Sequence, residues 1–417
     1  MNNVPTSKNM CHRNDGGNAR RALLCAISLT LAVTAVAETP VSWGQADFAA
    51  DLYRHAAAKV GKDENVVVSP WGVAHLYALM LTGARGDTAR EMAKTLQFGG
   101  EEPPEPDDIA NVCGVARDAL ARVTNEDVAL ELSESLWLAP DITPEPDFLA
   151  RAHKDFNAEV RKTEMGAAGC ASINEFVSEK THGRIKKLLE ELEGDERMVA
   201  VDTVYLKAKW IEPFESDLTR VDVFRTRKGK VRVPFMCATD RYLEILDAPE
   251  CAVLRLPYRS PGLEMLVILP SRSRKVADVE SLISNQWLDR IAANPWRGRV
   301  IVRMPKFNFD STHDLTEILP AMGMRAPFGS QADFSGLSEE PLCISESKQK
   351  ANVTVDEDGT EASAATYVKM LPLSAHPDPP PPPPRKFIAN RPFLFVVRET
   401  EFGLILFIGR VSNPTRK

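Results

Sequence analysis

The sequence predicts an α+β fold built on antiparallel sheets, and three observations carry that expectation. Through most of the first half, apolar residues recur at helical spacing, whereas after about residue 198 one strand-like run follows another. Segregated runs of helix and strand, rather than alternating β-α-β units, point away from a doubly wound sheet. No internal repeat and no Pro/Gly/Ser linker divides the middle, so residues 38–417 are expected to form one domain.

Residues 1–37 are read as a secretory signal peptide. Arg20 and Arg21 precede the apolar run ALLCAISLTLAVTAVA, and Ala35-Val36-Ala37 offers a small-x-small cleavage site before Glu38. The run is short for a membrane span and no later one is longer, so a secreted chain, extracellular or periplasmic, is expected. An uncleaved N-terminal anchor is the alternative. Lys8, Arg13, Arg20 and Arg21 against Asp15 leave with the segment, a net +3, which takes the formal charge from −7 to near −10. Such a chain has no bulk attraction for nucleic acid or an anionic membrane. Cys113, Cys170, Cys237, Cys251 and Cys343 remain; odd in number and without a C-x-x-C pair, they make neither a disulfide framework nor a zinc site.

Phe48, Leu52, Tyr53 and Ala56 set a helix over 46–60. NVVVSP is a short buried strand, and VAHLYALMLTGARG an apolar helix ending in glycine. Thr88-Ala89-Arg90-Glu91 reads as a capping box opening the next helix. Val128, Leu130, Leu132, Leu136 and Leu138 mark one strand face, and INEFVSEKTHG is a helix stopped by Gly183. Strands follow at VAVDTVYLKAKW, CAVLRLPY, LEMLVILP, VIVRMPKF, FLFVVRE and GLILFIGRV.

No H-E-x-x-H, G-x-S-x-G or glycine-rich phosphate loop is present, and the histidines do not group, so neither an enzyme nor a cofactor or metal is expected. A Cys/His or Ser/His pair meeting only in space is the open alternative for a hydrolase. Arg85-Gly86-Asp87 spells an adhesion tripeptide but sits at a helix corner. RTRKGKVR (225–232) reads as a hairpin tip with solvated charges, with a polyanion patch as the other reading. Asn352-Val353-Thr354 matches a glycosylation acceptor inside a strand pattern.

GTEASAATYVKMLPLS (359–374) is small and polar like a loop, yet alternates like a strand. Thr360, Ala362, Ala364, Thr366, Val368 and Met370 are uncharged; Glu361 and Lys369 fall in the other set. It ends before a proline run, Pro379 to Pro384, that spans about 19 Å as polyproline II.

Seven segments in order carry a resemblance: NVVVSPWGVAHLYALMLTGARGDT, INEFVSEKTHGRIKKLL, VYLKAKWIEPF, LEMLVILP, VDEDGTEASAAT, FIANRPFLFVV and LILFIGRVSNP. From about Ala46 to Pro414 the chain resembles the serpins, the large serine-protease inhibitors. The resemblance implies three β-sheets, eight or nine helices and an exposed reactive loop, here about 357–386 with a proline-rich insert at 377–384. It implies that the loop becomes a central strand once cut, which gives the alternation a reason. The hinge is Glu357, Asp358, Gly359, Thr360, Glu361, Ala362, Ser363, Ala364 and Ala365. Its small, uncharged inward residues suit inhibition, since an unpaired buried charge costs several kcal/mol. Family spacing from Glu357 puts the cut bond at Leu373–Ser374, which suits a serine protease with an apolar specificity pocket, forming a covalent complex with a monomeric inhibitor. A non-inhibitory binding module and cross-class inhibition of a cysteine protease are the alternatives. In the sheet-opening region Ser69 and Trp210 keep the pattern; Gly72 replaces a usual serine, Asp202 an asparagine and Gln349 a histidine. An Asp202–Gln349 hydrogen bond with reversed donor direction is expected. The stretch 107–123 has only Arg117 and Arg122 against three aspartates, so no basic stripe forms there.

Overall fold

Pro70-Trp71-Gly72 opens the helix around which the molecule is packed. Every residue of this helix is buried, as expected of one that is apolar on all sides. The computed structural model describes residues 42–292, 295–360 and 383–416. Expectations for 1–37, for Glu361 to Ala365, for Leu373 and Ser374, and for Pro379 to Pro382 lie outside the described residues.

In chain order the first half gives α1 (Gln45–Lys59), β1 (Val66–Val68), α2 (Pro70–Gly83), α3 (Gly86–Thr95), α4 (Pro106–Arg122), β2 (Val128–Leu138), α5 (Pro146–Lys154), β3 (Glu159–Lys162) and α6 (Ala167–Lys180). Strands then dominate: β4 (Met198–Lys209), β5 (Arg220–Thr226), β6 (Gly229–Asp247), β7 (Cys251–Pro257) and β8 (Leu263–Pro270). After α7 (Val276–Glu280) and α8 (Asn285–Ala292) come β9 (Trp296–Pro305), β10 (Phe307–Asp314), α9 (Leu315–Met322), β11 (Glu346–Val355) and β12 (Gly359–Thr360). The chain closes with β13 (Arg385–Ile388), β14 (Phe393–Glu399) and β15 (Ile405–Val411). The α+β expectation holds.

One sheet has the order β10-β11-β12-β4-β2-β3. The other runs β1-β15-β14-β8-β7-β6-β9-β13, with β5 on β6. The second and third expected sheets are its two lobes. They share one ladder because β6, 19 residues long, pairs β5 with its first part and β7 with its last, and shifts register between Ala238 and Arg241. β14 and β15 are buried along their whole length, which accounts for their unbroken apolar runs.

The capping box at Thr88 is a misreading. The helix begins earlier, at Gly86, with Arg85 as its N-cap. Thr88 Oγ1 instead accepts from Asp333 N at 2.9 Å, and Glu91 accepts from Arg325 N and Ala326 N, both at 2.6 Å. The same side chains cap a distant loop rather than their own helix, a tertiary choice that local spacing does not reveal. Arg85-Gly86-Asp87 is the corner between α2 and α3, with Gly86 at φ +54°. All five described cysteines are free.

Candidate functional site, a slot between two parallel strands

β4 and β11 run parallel, yet they bond directly only at one end. Val199 pairs with Glu346 and Ala200 with Ser347, and beyond these rungs the strands part. Further along, β12 stands between them: Thr360 pairs with Val355 on one side and Ala208 on the other, and Gly359 with Lys209. Val204, Leu206, Asn352, Val353 and Thr360 line the cavity left between. An extended segment entering here gains a hydrogen-bond ladder on both edges.

At the hinge end the polar groups are well provided. Glu357 O accepts from Phe214 N at 2.7 Å and Asp358 O from Trp210 N at 2.8 Å. Trp210 Nε1 donates to Asp356 O at 3.1 Å, and its ring stacks on Tyr258 with centroids 4.6 Å apart. The Tyr258 hydroxyl lies 2.6 Å from Thr360 Oγ1, so the first hinge hydroxyl is already seated. Asp356 Oδ1 accepts from Asp358 N at 3.0 Å and so holds the turn. Glu357 accepts from Thr219 Oγ1 at 2.7 Å and pairs with Lys306 Nζ at 2.5 Å. Burial opposes its ionisation, but these two partners hold the carboxyl below its usual range. Gly359 is required by space: a Cβ there would lie 2.0 Å from Ala208 O.

At the α2 end the groups are incompletely met. Gln349 clamps Ser69 with both ends of its amide, Oε1 accepting from Ser69 N at 3.0 Å and Nε2 donating to Ser69 O at 2.7 Å. Ser69 Oγ donates to Leu406 O at 2.9 Å. The expected bond from Gln349 Nε2 to Asp202 Oδ2 is present but long, 3.4 Å, because the same nitrogen serves Ser69 first. Asp202 Oδ1 is buried without a partner. Gly72 makes its position feasible, since a Cβ there would lie 2.0 and 2.1 Å from the two carboxylate oxygens. Two of the three departures from the family pattern, Gly72 and Asp202, are thus one change: the carboxylate fills the space that a larger residue at 72 would need. Burial pushes the Asp202 carboxyl well above its usual range, and the charge of Glu134 adds to this, while the Gln349 amide opposes it.

Two residues of this end escaped the sequence reading. His75 Nδ1 lies 2.8 Å from Glu134 Oε1, both buried, and His75 Nε2 has no partner. A signal did exist: Glu134 falls in the otherwise apolar set of β2, and His75 is the one titratable imidazole in the apolar helix α2. Ser69, Gly72, Asp202 and Gln349 come together. Trp210 does not join them; β4 is extended, so Trp210 lies about 26 Å further on and serves the hinge end. Among the described residues no group of His, Cys, Asp and Glu is suited to hold a metal, and no helix is long and apolar enough to cross a membrane.

Between β4 and β11 the chain thus places the short strand Gly359–Thr360, and beyond it both strand edges part until the rungs at Val199 and Ala200. Residues 44–414 match the family model described as Serpin (serine protease inhibitor). A serpin-like protein of Thermococcus kodakarensis is 33% identical over 383 residues, covering 90% of this chain and 86% of its own. Alpha-1-antiproteinase 2 of Equus caballus is 32% identical over 391 residues, 91% of this chain and 89% of its own. The structure is similar to that of human thyroxine-binding globulin in complex with thyroxine, with a TM-score of 0.79, 28% identity, and coverage of 89% and 97%. The chain belongs to the serpin family, whose members are protease inhibitors rather than enzymes.

Proposed function

We propose that the chain inhibits serine proteases with an apolar specificity pocket, of the chymotrypsin or elastase kind, as a suicide substrate cut at Leu373–Ser374. The protease serine adds to the Leu373 carbonyl. The C–N bond to Ser374 breaks, and the proton reaches the departing amine through the protease's own base. The hinge half of the loop, now an acyl ester of the protease, enters the slot before water frees it. The free inhibitor acts as a monomer without a cofactor. In this reading residues 1–37 are a cleaved secretory signal, 38–417 form the inhibitor domain, and the proline-rich insert is a spacer.

The observation that carries the reading is Thr360, seated between Ala208 and Val355. Continued in that register, residue 362 comes level with Leu206 and Val353, 364 with Val204 and Ala351, and 366 with Asp202 and Gln349. The residues arriving on that face are the uncharged set, while Glu361 and Lys369 face out. Thr366 brings a hydroxyl to the level of the unpartnered Asp202 Oδ1. Val368 comes level with Ala200 and Ser347, so its entry parts a direct rung of β4 and β11. Burying Val368 and Met370 returns about 1.5–3 kcal/mol each.

The test is a denaturing gel of the mature chain incubated with chymotrypsin and with an elastase. A band that survives boiling, with a released peptide starting at Ser374, is expected. Clean cleavage beside a fully active protease would reject inhibition. That result would favour a binding module, the reading suggested by the similarity to a thyroxine-binding globulin.

A further inference from the structure

The β5–β6 hairpin carries a cost that its own fold does not explain. Its register sets Arg225 directly opposite Lys230, and like charges facing each other across a ladder are destabilising. The strand could relieve this with an acidic partner. Among the described residues neither side chain has one within ion-pair distance.

A third cation is brought to the same place by the backbone. Arg225 N donates to Asn390 O at 2.8 Å, which fixes the neighbouring Arg391 beside the hairpin. The Arg391 guanidinium donates through Nη2 to Pro270 O at 2.5 Å, and its Nε is buried with no hydrogen-bond partner. Arg272, just past Pro270, is the fourth. Burial lowers the pKa of Arg391, and the charges of Arg272 and Arg225 lower it further, so the guanidinia sense one another. Of the acids near the hairpin, Glu64 pairs with Arg416 and Asp222 with Arg303, while Asp63 lies 3.5 Å from Lys228 and 3.8 Å from Arg227 with its buried Oδ1 lacking a hydrogen-bond partner. All this stands on a chain whose net charge is −7.

We propose that Arg225, Lys230, Arg272 and Arg391 form a binding site for a tetrahedral oxyanion, a phosphate or sulfate group. Such a group meets forked guanidinium donors with several acceptor oxygens and neutralises the cross-strand repulsion. The site lies on the β5–β6 hairpin, the turn before β14 and the turn after β8, so it is separate from the slot between β4 and β11. An isolated run of basic residues in the sequence does not reveal it, because Arg272 and Arg391 join from distant segments.

The test uses the intact chain and two probes, inorganic phosphate titrated calorimetrically against a chloride background, and immobilised dextran sulfate eluted with salt. Saturable binding is expected, weakened about tenfold or more in Arg225→Ala and in Arg272→Ala, which leave the Arg391 bond to Pro270 in place. Without anion, Arg225→Ala is expected to unfold at the same or slightly higher urea concentration than the parent, since a repulsion is gone. Phosphate binding without dextran sulfate retention identifies a free ion as the occupant; retention lost in the variants identifies a polymer-borne ester. Binding of neither probe, or equal binding by parent and variants, would overturn the proposal.

Discussion

The two ends of the slot share the same strands and the same register, yet they are finished to different degrees. At the hinge end Thr360 already stands between β11 and β4, its hydroxyl against Tyr258, and Glu357 is tied to Lys306 and Thr219. At the α2 end β4 and β11 meet with no strand between them, Asp202 Oδ1 and His75 Nε2 lack partners, and one long hydrogen bond joins Gln349 to Asp202. A buried polar atom without a partner costs about 1–3 kcal/mol. The difference leaves unmet polar groups at the α2 end and paired ones where β12 stands; in the proposed insertion the strand would enter from the paired end.

The sharpest way to break this comparison is to spoil the filled end. Thr360→Arg puts a charge where the side chain is 4% exposed, at a cost of several kcal/mol. On a denaturing gel the protease complex should vanish and cleavage should remain; a normal yield of complex would mean that the seated hinge plays no part in insertion. Next in size is Gln349→Leu, which strips Ser69 N and O of their partners. A loss of about 1–3 kcal/mol for each group left unpaired is expected in urea unfolding, and unchanged stability would show the clamp to be dispensable.

Gly72→Ala should cost about 1–3 kcal/mol by overpacking against Asp202. Asp202→Ala in the same chain should recover most of that, because the clashing oxygens are gone. Additive effects in this double-mutant cycle would disprove the pairing of the two positions.

The smallest effects concern pH, and they have opposite signs at the two ends. The Glu357 carboxyl is held below its usual range, so its contribution is present above the unfolded-state pKa and is lost as pH falls through the folded one. The Asp202 carboxyl is held above its usual range. The folded state then keeps a proton that the unfolded state releases, and stability falls as pH rises above the ordinary carboxylate range. Urea midpoints against pH should therefore lose part of their acid limb in Glu357→Gln and part of their decline with rising pH in Asp202→Asn. Parallel profiles for both variants and the parent would remove ionisation from the account.

Much of the slot was legible because its informative features are local and periodic. Alternation through 359–370 separates charged from uncharged residues without knowledge of any neighbour, and Gly359 followed by small side chains announces a tight passage. The hairpin at 225–232, the strands from residue 198 onward and the helix buried on all sides were visible for the same reason. Their signal is a pattern within one segment, alternation where one face is buried and an unbroken apolar run where all sides are.

What local spacing did not reveal was which distant partner a polar side chain would choose. Thr88 and Glu91 have the spacing of a capping box, yet they bond to Asp333, Arg325 and Ala326. Trp210 belongs to the hinge turn rather than to the group around Asp202. The sequence by itself determined which faces of the described helices and strands turn inward, since side-chain period and polarity are properties of the chain. Only the tertiary structure decided that Gly72 makes room for the Asp202 carboxylate, that the amide of Gln349 goes first to Ser69, and that one carboxylate oxygen is left over. Those outcomes depend on gaps of a few ångströms between segments far apart in sequence, and close packing resolves them only when all the segments are in place.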